Sequence, residues 1–152
     1  MSPKENLLYR LTELMFEKQQ TFLLLDELYE YEIISSFVRN IQIDSPYQQL
    51  VFEGVLSQYN HQNEIVVSFT IEAYFHHLLG LILNKNKDVE TPKSLSNLIV
   101  KNKLSVLNKG IANYLVNHIQ NENYNLLFDY IYYPEIPIDI CVPALVQMFF
   151  EM

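Results

Sequence analysis

Apolar positions recur at intervals of three and four along most of this chain and switch to short β-branched and aromatic runs in one stretch near the middle. Ser2-Pro3-Lys4-Glu5 reads as a capping box with proline at the first helical position. A helix follows, with Leu7, Leu8, Leu11, Leu14 and Met15 as its stripe, running to about Gln20. Phe22, Leu23, Leu24, Leu25, Leu28, Ile33, Ile34, Phe37 and Val38 predict one or two strongly apolar helices, with Asp26, Glu27, Glu30 and Glu32 on the exposed side. Asp44-Ser45-Pro46 signals another start, and Gly54 can end the short helix carrying Leu50, Val51 and Phe52.

Val55 to Tyr59 and Glu64 to Phe69 flank the polar Asn60-His61-Gln62-Asn63, which reads as a β-hairpin at about 55–69. Such a hairpin is marginal alone and must pack on helices. Thr70 is placed to cap a helix whose residues Ile71, Tyr74, Phe75, Leu78, Leu79, Ile82 and Leu83 should be mostly buried. Asn84 to Glu90 is polar and lysine-rich and reads as a linker, after which Thr91-Pro92 opens a helix. Leu95, Leu98, Ile99, Leu104, Val106 and Leu107 precede a helix from Ile111 to Ile119, and another covers Tyr124 to Tyr132. Asp139 to Met152 is an apolar helix without a polar tail, so that either more chain follows it or it tucks into the core. The expected fold is mainly α: about seven helices in a bundle or solenoid-like stack with one small hairpin. Residues 1–84 form an N-terminal part, 85–90 a linker and 91–152 a C-terminal helical part, unless all form one continuous domain.

Composition narrows the function classes. Hydrophobic residues make up 49% of 152 and charged residues only 18%, so much of the surface is amide, hydroxyl and tyrosine, or is covered by a partner. The net charge of −8 is uneven: residues 85–109 carry six lysines against Asp88 and Glu90, leaving −12 on the rest. An overall acidic molecule disfavours bulk nucleic-acid binding. The single cysteine, Cys141, forms no internal disulfide, and no Asn-x-Ser/Thr acceptor occurs, which points to the cytoplasm. The opening residues lack the basic flank and apolar run of a signal peptide, and no apolar run reaches membrane-spanning length.

No catalytic, metal or cofactor pattern emerges. Phe22 to Glu27 has the apolar run and Asp-Glu of a Walker B strand, but Gly54, Gly80 and Gly110 form no phosphate-binding loop. His76 shares a helix face with Glu72 four residues earlier, and Tyr74 lies between them; His77 reads as a packing histidine. Glu72, Tyr74 and His76 are therefore the polar cluster to inspect for a pocket, although metal binding would need ligands that His61, His118 and Cys141 are not placed to give. Cys141, between Ile140 and Val142, reads as a buried hydrophobe. The acidic and aromatic run Asp26, Glu27, Tyr29, Glu30 and Glu32 is either a solvated face or a contact for a basic partner. Tyr132 to Pro137 is a stiff aromatic turn.

Leu50 to Leu56, the polar turn, and Ile65 to Gly80 together resemble the region downstream of the ATPase core in STAND-type, NACHT-like signalling NTPases. There a winged-helix-like segment with a hairpin leads into an aromatic helix and then sensor repeats. Phe69-Thr70 and Tyr74-Phe75 match, whereas Ile71 stands where the family has histidine and His76 near where it has glutamate, so no nucleotide contact carries over. The resemblance implies a non-catalytic regulatory or protein-interaction segment of a signalling or defence protein, binding another protein or, through its apolar end, a second copy. The alternative is a free-standing small acidic inhibitor or immunity-type protein whose acidic stretch occupies a basic site.

Overall fold

The computed structural model describes residues 2–31, 34–35, 45–86, 89–102 and 105–151. Among them the fold is mainly α, with eight helices and a small three-stranded antiparallel sheet. The chain divides into two compact units, Met1–Phe75 and His76–Met152.

In the first unit, helix α1 (Pro3–Lys18) starts at the expected capping box: Glu5 N–H donates to Ser2 Oγ, and Ser2 N–H donates to the Glu5 carboxylate. Its end is a Schellman closure, in which Gln20 N–H reaches the Met15 carbonyl and Gln19 N–H that of Phe16. Gln19 takes the left-handed conformation usually given to glycine. Strand β1 (Leu23–Leu24) leads into the four-residue helix α2 (Leu25–Leu28). This corrects the purely helical expectation for the apolar run from Phe22. Leu23 and Leu24 pair antiparallel with Val67 and Val66, and this long-range pairing overrides the high helix propensity of leucine. The continuation through Ile33, Phe37 and Val38 lies outside the described residues.

Ser45 caps α3 (Pro46–Phe52), and the chain leaves it through a second Schellman closure with Gly54 at φ +79°. Strands β2 (Leu56–His61) and β3 (Glu64–Phe69) follow, joined at Gln62 and Asn63, both at positive φ as a two-residue type I′ turn requires. The sheet order is β1-β3-β2. Successive residues Val66 and Val67 point to opposite faces and both are buried, so the middle of β3 is covered on both sides. Helix α1 packs on α3, and α2 packs on β3. Leu7, Leu11, Met15, Leu23, Leu28, Tyr47 and Leu56 fill the core of this unit.

Helix α4 (Glu72–Leu83) begins at the end of the first unit and continues into the second. Thr70 does not cap it: its hydroxyl meets that of Ser57 at 2.7 Å, tying the ends of β2 and β3. Phe75, Leu78, Leu79 and Leu83 are buried as expected, while Ile71 and Tyr74 are exposed. The second unit adds α5 (Pro92–Lys101), capped by Thr91, then α6 (Ser105–Gln120), α7 (Tyr124–Ile131) and α8 (Ile138–Glu151). Helix α6 starts well before the expected Ile111 and packs on both α7 and α8. Its glycine lets α4 approach closely: a Cβ on Gly110 would lie 2.4 Å from Leu79 Cδ2, and one on Gly80 2.9 Å from Asn113 Cβ. A third Schellman closure, with Glu122 left-handed, ends α6.

Val89, within the lysine-rich segment read as a linker, is fully buried. Its carbonyl accepts hydrogen bonds from the hydroxyls of Tyr114 and Tyr130, which are 3.1 Å from each other. Val89 is therefore pinned to the α6–α7 pair by its backbone carbonyl, a contact that polar composition cannot reveal.

Candidate functional site

Helix α8 has apolar residues on two sides. Ile140, Cys141 and Ala144 are buried in the unit. Ile138, Val142, Val146 and Phe149 follow at intervals of four, four and three, which places them on one face. All four are exposed, Phe149 by 79%, and Phe150 beside them by 78%. Pro143, also exposed, removes the N–H that would bond the Asp139 carbonyl within the helix. The apolar end of the chain is thus half tucked in and half bare.

Helix α7 repeats this arrangement. Leu127 and Tyr130 are buried, while Tyr124, Phe128 and Tyr132, four residues apart, face solvent. The Phe128 and Tyr132 rings stack with centroids 6.0 Å apart. Tyr124 and Phe128 meet Met148 and Glu151 of α8 across a groove of about 240 Å³. The two helices therefore present one shallow, largely apolar surface with a groove at the carboxyl end of α8.

The electrostatics of this surface are one-sided. From Gly110 to the end the sequence holds no lysine or arginine, but five carboxylates: Glu122, Asp129, Glu135, Asp139 and Glu151. All five are exposed. Cys141 lies beneath the surface as a fully buried free thiol, its pKa raised by burial and, secondarily, by Asp139, so it behaves as the packing residue the sequence implies.

The acidic stretch of the first unit is arranged differently. Asp26 and Glu30 are exposed, but Glu27 accepts from Lys18 Nζ at 3.0 Å, and Lys18 lies 5.8 Å over the Tyr31 ring. The hydrogen bond to Glu27 raises the Lys18 pKa. Tyr29 is half-buried; Glu32 lies outside the described residues.

The other candidates separate in burial. Glu72 and Tyr74 are exposed whereas His76 is buried, and His77, expected to be the packing histidine, is the exposed one of the pair. His118 is a packing histidine that the sequence reading misses: it is 6% exposed, stacks on Tyr130 at 5.7 Å and lies edge-on to Tyr114 at 4.7 Å. Neither ring nitrogen has a hydrogen-bond partner among the described residues, and burial lowers its pKa. The signal was its place on the α6 stripe, three and four residues from Leu115 and Tyr114.

A second cleft, about 560 Å³, lies in the first unit between Leu8, Leu50, Val55, Ile71 and Tyr74. Its ionic groups are already committed: Lys4 pairs with Glu53 at 2.9 Å, and Glu5 closes the capping box. Among the described residues no group of three or more histidine, cysteine or carboxylate side chains could hold a metal ion, and no helix is long and apolar enough to cross a membrane. No protein-family model, curated protein or solved structure matches this chain.

Proposed function

We propose that the chain is a non-catalytic protein-binding segment of a signalling or defence protein and that the outer surface of α7 and α8 receives its partner. The observation that carries this reading is the exposed apolar face of α8. Two phenylalanines almost four-fifths exposed, each with roughly 150–250 Å² of surface, together offer about 300 Å² of apolar area. That matches the largest apolar patch of a typical monomer before Ile138, Val142, Val146, Phe128 and Tyr132 are added.

The placement within a signalling protein rests on the resemblance to the region downstream of a STAND-type ATPase core, and the topology of the first unit supports it. Helix α1, strand β1, helices α2 and α3 and the β2–β3 hairpin, with sheet order β1-β3-β2, follow the path of a winged-helix unit, and helix α4 comes next. Helix α3 carries no lysine or arginine, and the hairpin turn is uncharged apart from Glu64. These are poor groups for phosphate contact, which favours a protein partner over nucleic acid.

A second reading, a small acidic inhibitor or immunity-type protein, draws on the charge of the first unit: four basic against eleven acidic residues in 1–75, net −7. It is weakened at its proposed centre, where Glu27 is already neutralised by Lys18.

Affinity capture with the intact chain separates the two. The Val142→Ser/Val146→Ser/Phe149→Ser variant should lose the specific partner, and an Asp26→Lys/Glu30→Lys variant should keep it. The reverse result would favour the inhibitor reading, and retention by both would remove α8 and the acidic stretch alike.

A further inference from the structure

We infer that the α7–α8 surface is built to receive a cationic amphipathic helix, in which an apolar stripe seats on Val142, Val146 and Phe149 while flanking lysines or arginines meet the surrounding carboxylates. This rests on the protein-binding reading above and adds the chemical class of the partner.

Charge complementarity decides among the occupants that an apolar surface of this kind could have. From Gly110 onward, which includes all of α7 and α8, every charged side chain is an exposed carboxylate and none is a lysine or arginine. Asp139 stands beside Ile138 at the start of the bare face of α8, and Glu151 lines the groove at its other end. A helix carrying basic residues outside its apolar stripe would find acceptors at both ends of α8. The exposed rings of Tyr124, Phe128 and Tyr132 would offer faces for cation–π contact.

The same inventory disfavours the other occupants. A second copy of this face would bring carboxylates against carboxylates with no cation between them, and like charges across an interface cost several kcal/mol. An anionic lipid surface attracts amphipathic helices whose polar side is rich in lysine and arginine, the opposite of α7 and α8. A neutral helix would gain the apolar contact but leave the carboxylates unanswered. Helix-in-groove recognition reads anchors at i, i+3 or i+4 and i+7, the spacing that Val142, Val146 and Phe149 themselves provide.

The test is a fluorescence anisotropy titration of the intact chain with three labelled synthetic peptides: a leucine stripe with lysine flanks, the same stripe with glutamate flanks, and the lysine peptide scrambled so that no stripe forms. The inference predicts binding of the first at least about tenfold tighter than either of the others, weakening as salt rises. It predicts a loss of about tenfold or more in Val142→Ser/Val146→Ser/Phe149→Ser, which leaves every charge in place, with an unchanged circular dichroism spectrum. Asp139→Lys/Glu151→Lys should weaken the lysine peptide several-fold and strengthen the glutamate peptide.

Equal binding of lysine and scrambled peptides would overturn the inference, because the acidic first unit then accounts for it. So would a preference for the glutamate peptide, recruitment to phosphatidylglycerol vesicles that the serine variant abolishes, or a concentration-dependent dimer in sedimentation that the serine variant dissociates. If captured partners depend on Val142, Val146 and Phe149 but no lysine peptide binds, the protein-binding reading stands and the cationic helix alone falls.

Discussion

Helices α4 and α8 are both rich in apolar side chains, yet the protein uses them in opposite ways. Helix α4 buries Phe75, Leu78, Leu79 and Leu83 and lets Gly110 of α6 approach Leu79 closely. Helix α8 buries Ile140, Cys141 and Ala144 and leaves a second apolar face in solvent. Composition alone does not separate them; the difference lies in which faces neighbouring helices cover. An apolar helix face left bare costs solubility without contributing to the fold, which is why the outer face of α8 reads as a surface for a partner.

The comparison can be broken most forcefully at Leu79. Leu79→Ala removes a fully buried side chain from α4 and should cost about 2–5 kcal/mol in urea unfolding. Gly110→Ala should cost about 1–3 kcal/mol by overpacking against Leu79, against the roughly 1 kcal/mol that alanine normally gains over glycine in a helix. Combining the two should be markedly less than additive, because the smaller side chain at 79 makes room for the new Cβ. Additive losses would show that α4 and α6 do not meet at Gly110. Tyr130→Phe should cost about 1 kcal/mol by removing one of two donors to the Val89 carbonyl, measured as a shift of the same midpoint.

A smaller effect depends on pH. The folded pKa of His118 lies below its ordinary value because burial penalises the charged ring, so the unfolded chain takes up the proton first. Stability from this site is fully present above the unfolded pKa near 6.5 and falls as pH drops below it. His118→Leu should therefore flatten the acid side of a midpoint-versus-pH profile. An unchanged slope would place the acid sensitivity in another group.

Much of the fold was legible because its signals are local. Ser2-Pro3-Lys4-Glu5, Ser45-Pro46 and Thr91-Pro92 all start helices where the capping chemistry says they should. The hairpin around Gln62-Asn63 follows from short β-branched and aromatic runs on either side of a polar turn. What was hidden depends on distant partners. Leu23 and Leu24 look helical until β3 offers backbone groups to pair with. Thr70 looks like a cap until Ser57 competes for its hydroxyl. Val89 sits in a lysine-rich stretch, and the tyrosine hydroxyls that hold its carbonyl come from two other helices. The candidate surface was half visible: the apolar end of the chain was plain, but the aromatic face of α7 beside it appears only once Leu127 and Tyr130 are seen to point inward.

The central claim is that the outer face of α8 contributes little to the fold and is free to bind. The direct test is urea unfolding of Val142→Ser/Val146→Ser/Phe149→Ser beside wild type and Leu79→Ala. The account predicts a variant within about 0.5 kcal/mol of wild type, as for ordinary surface substitutions, while Leu79→Ala is strongly destabilised. A loss in the serine variant comparable to that of Leu79→Ala would mean that the face is covered within the folded protein, and would contradict the account.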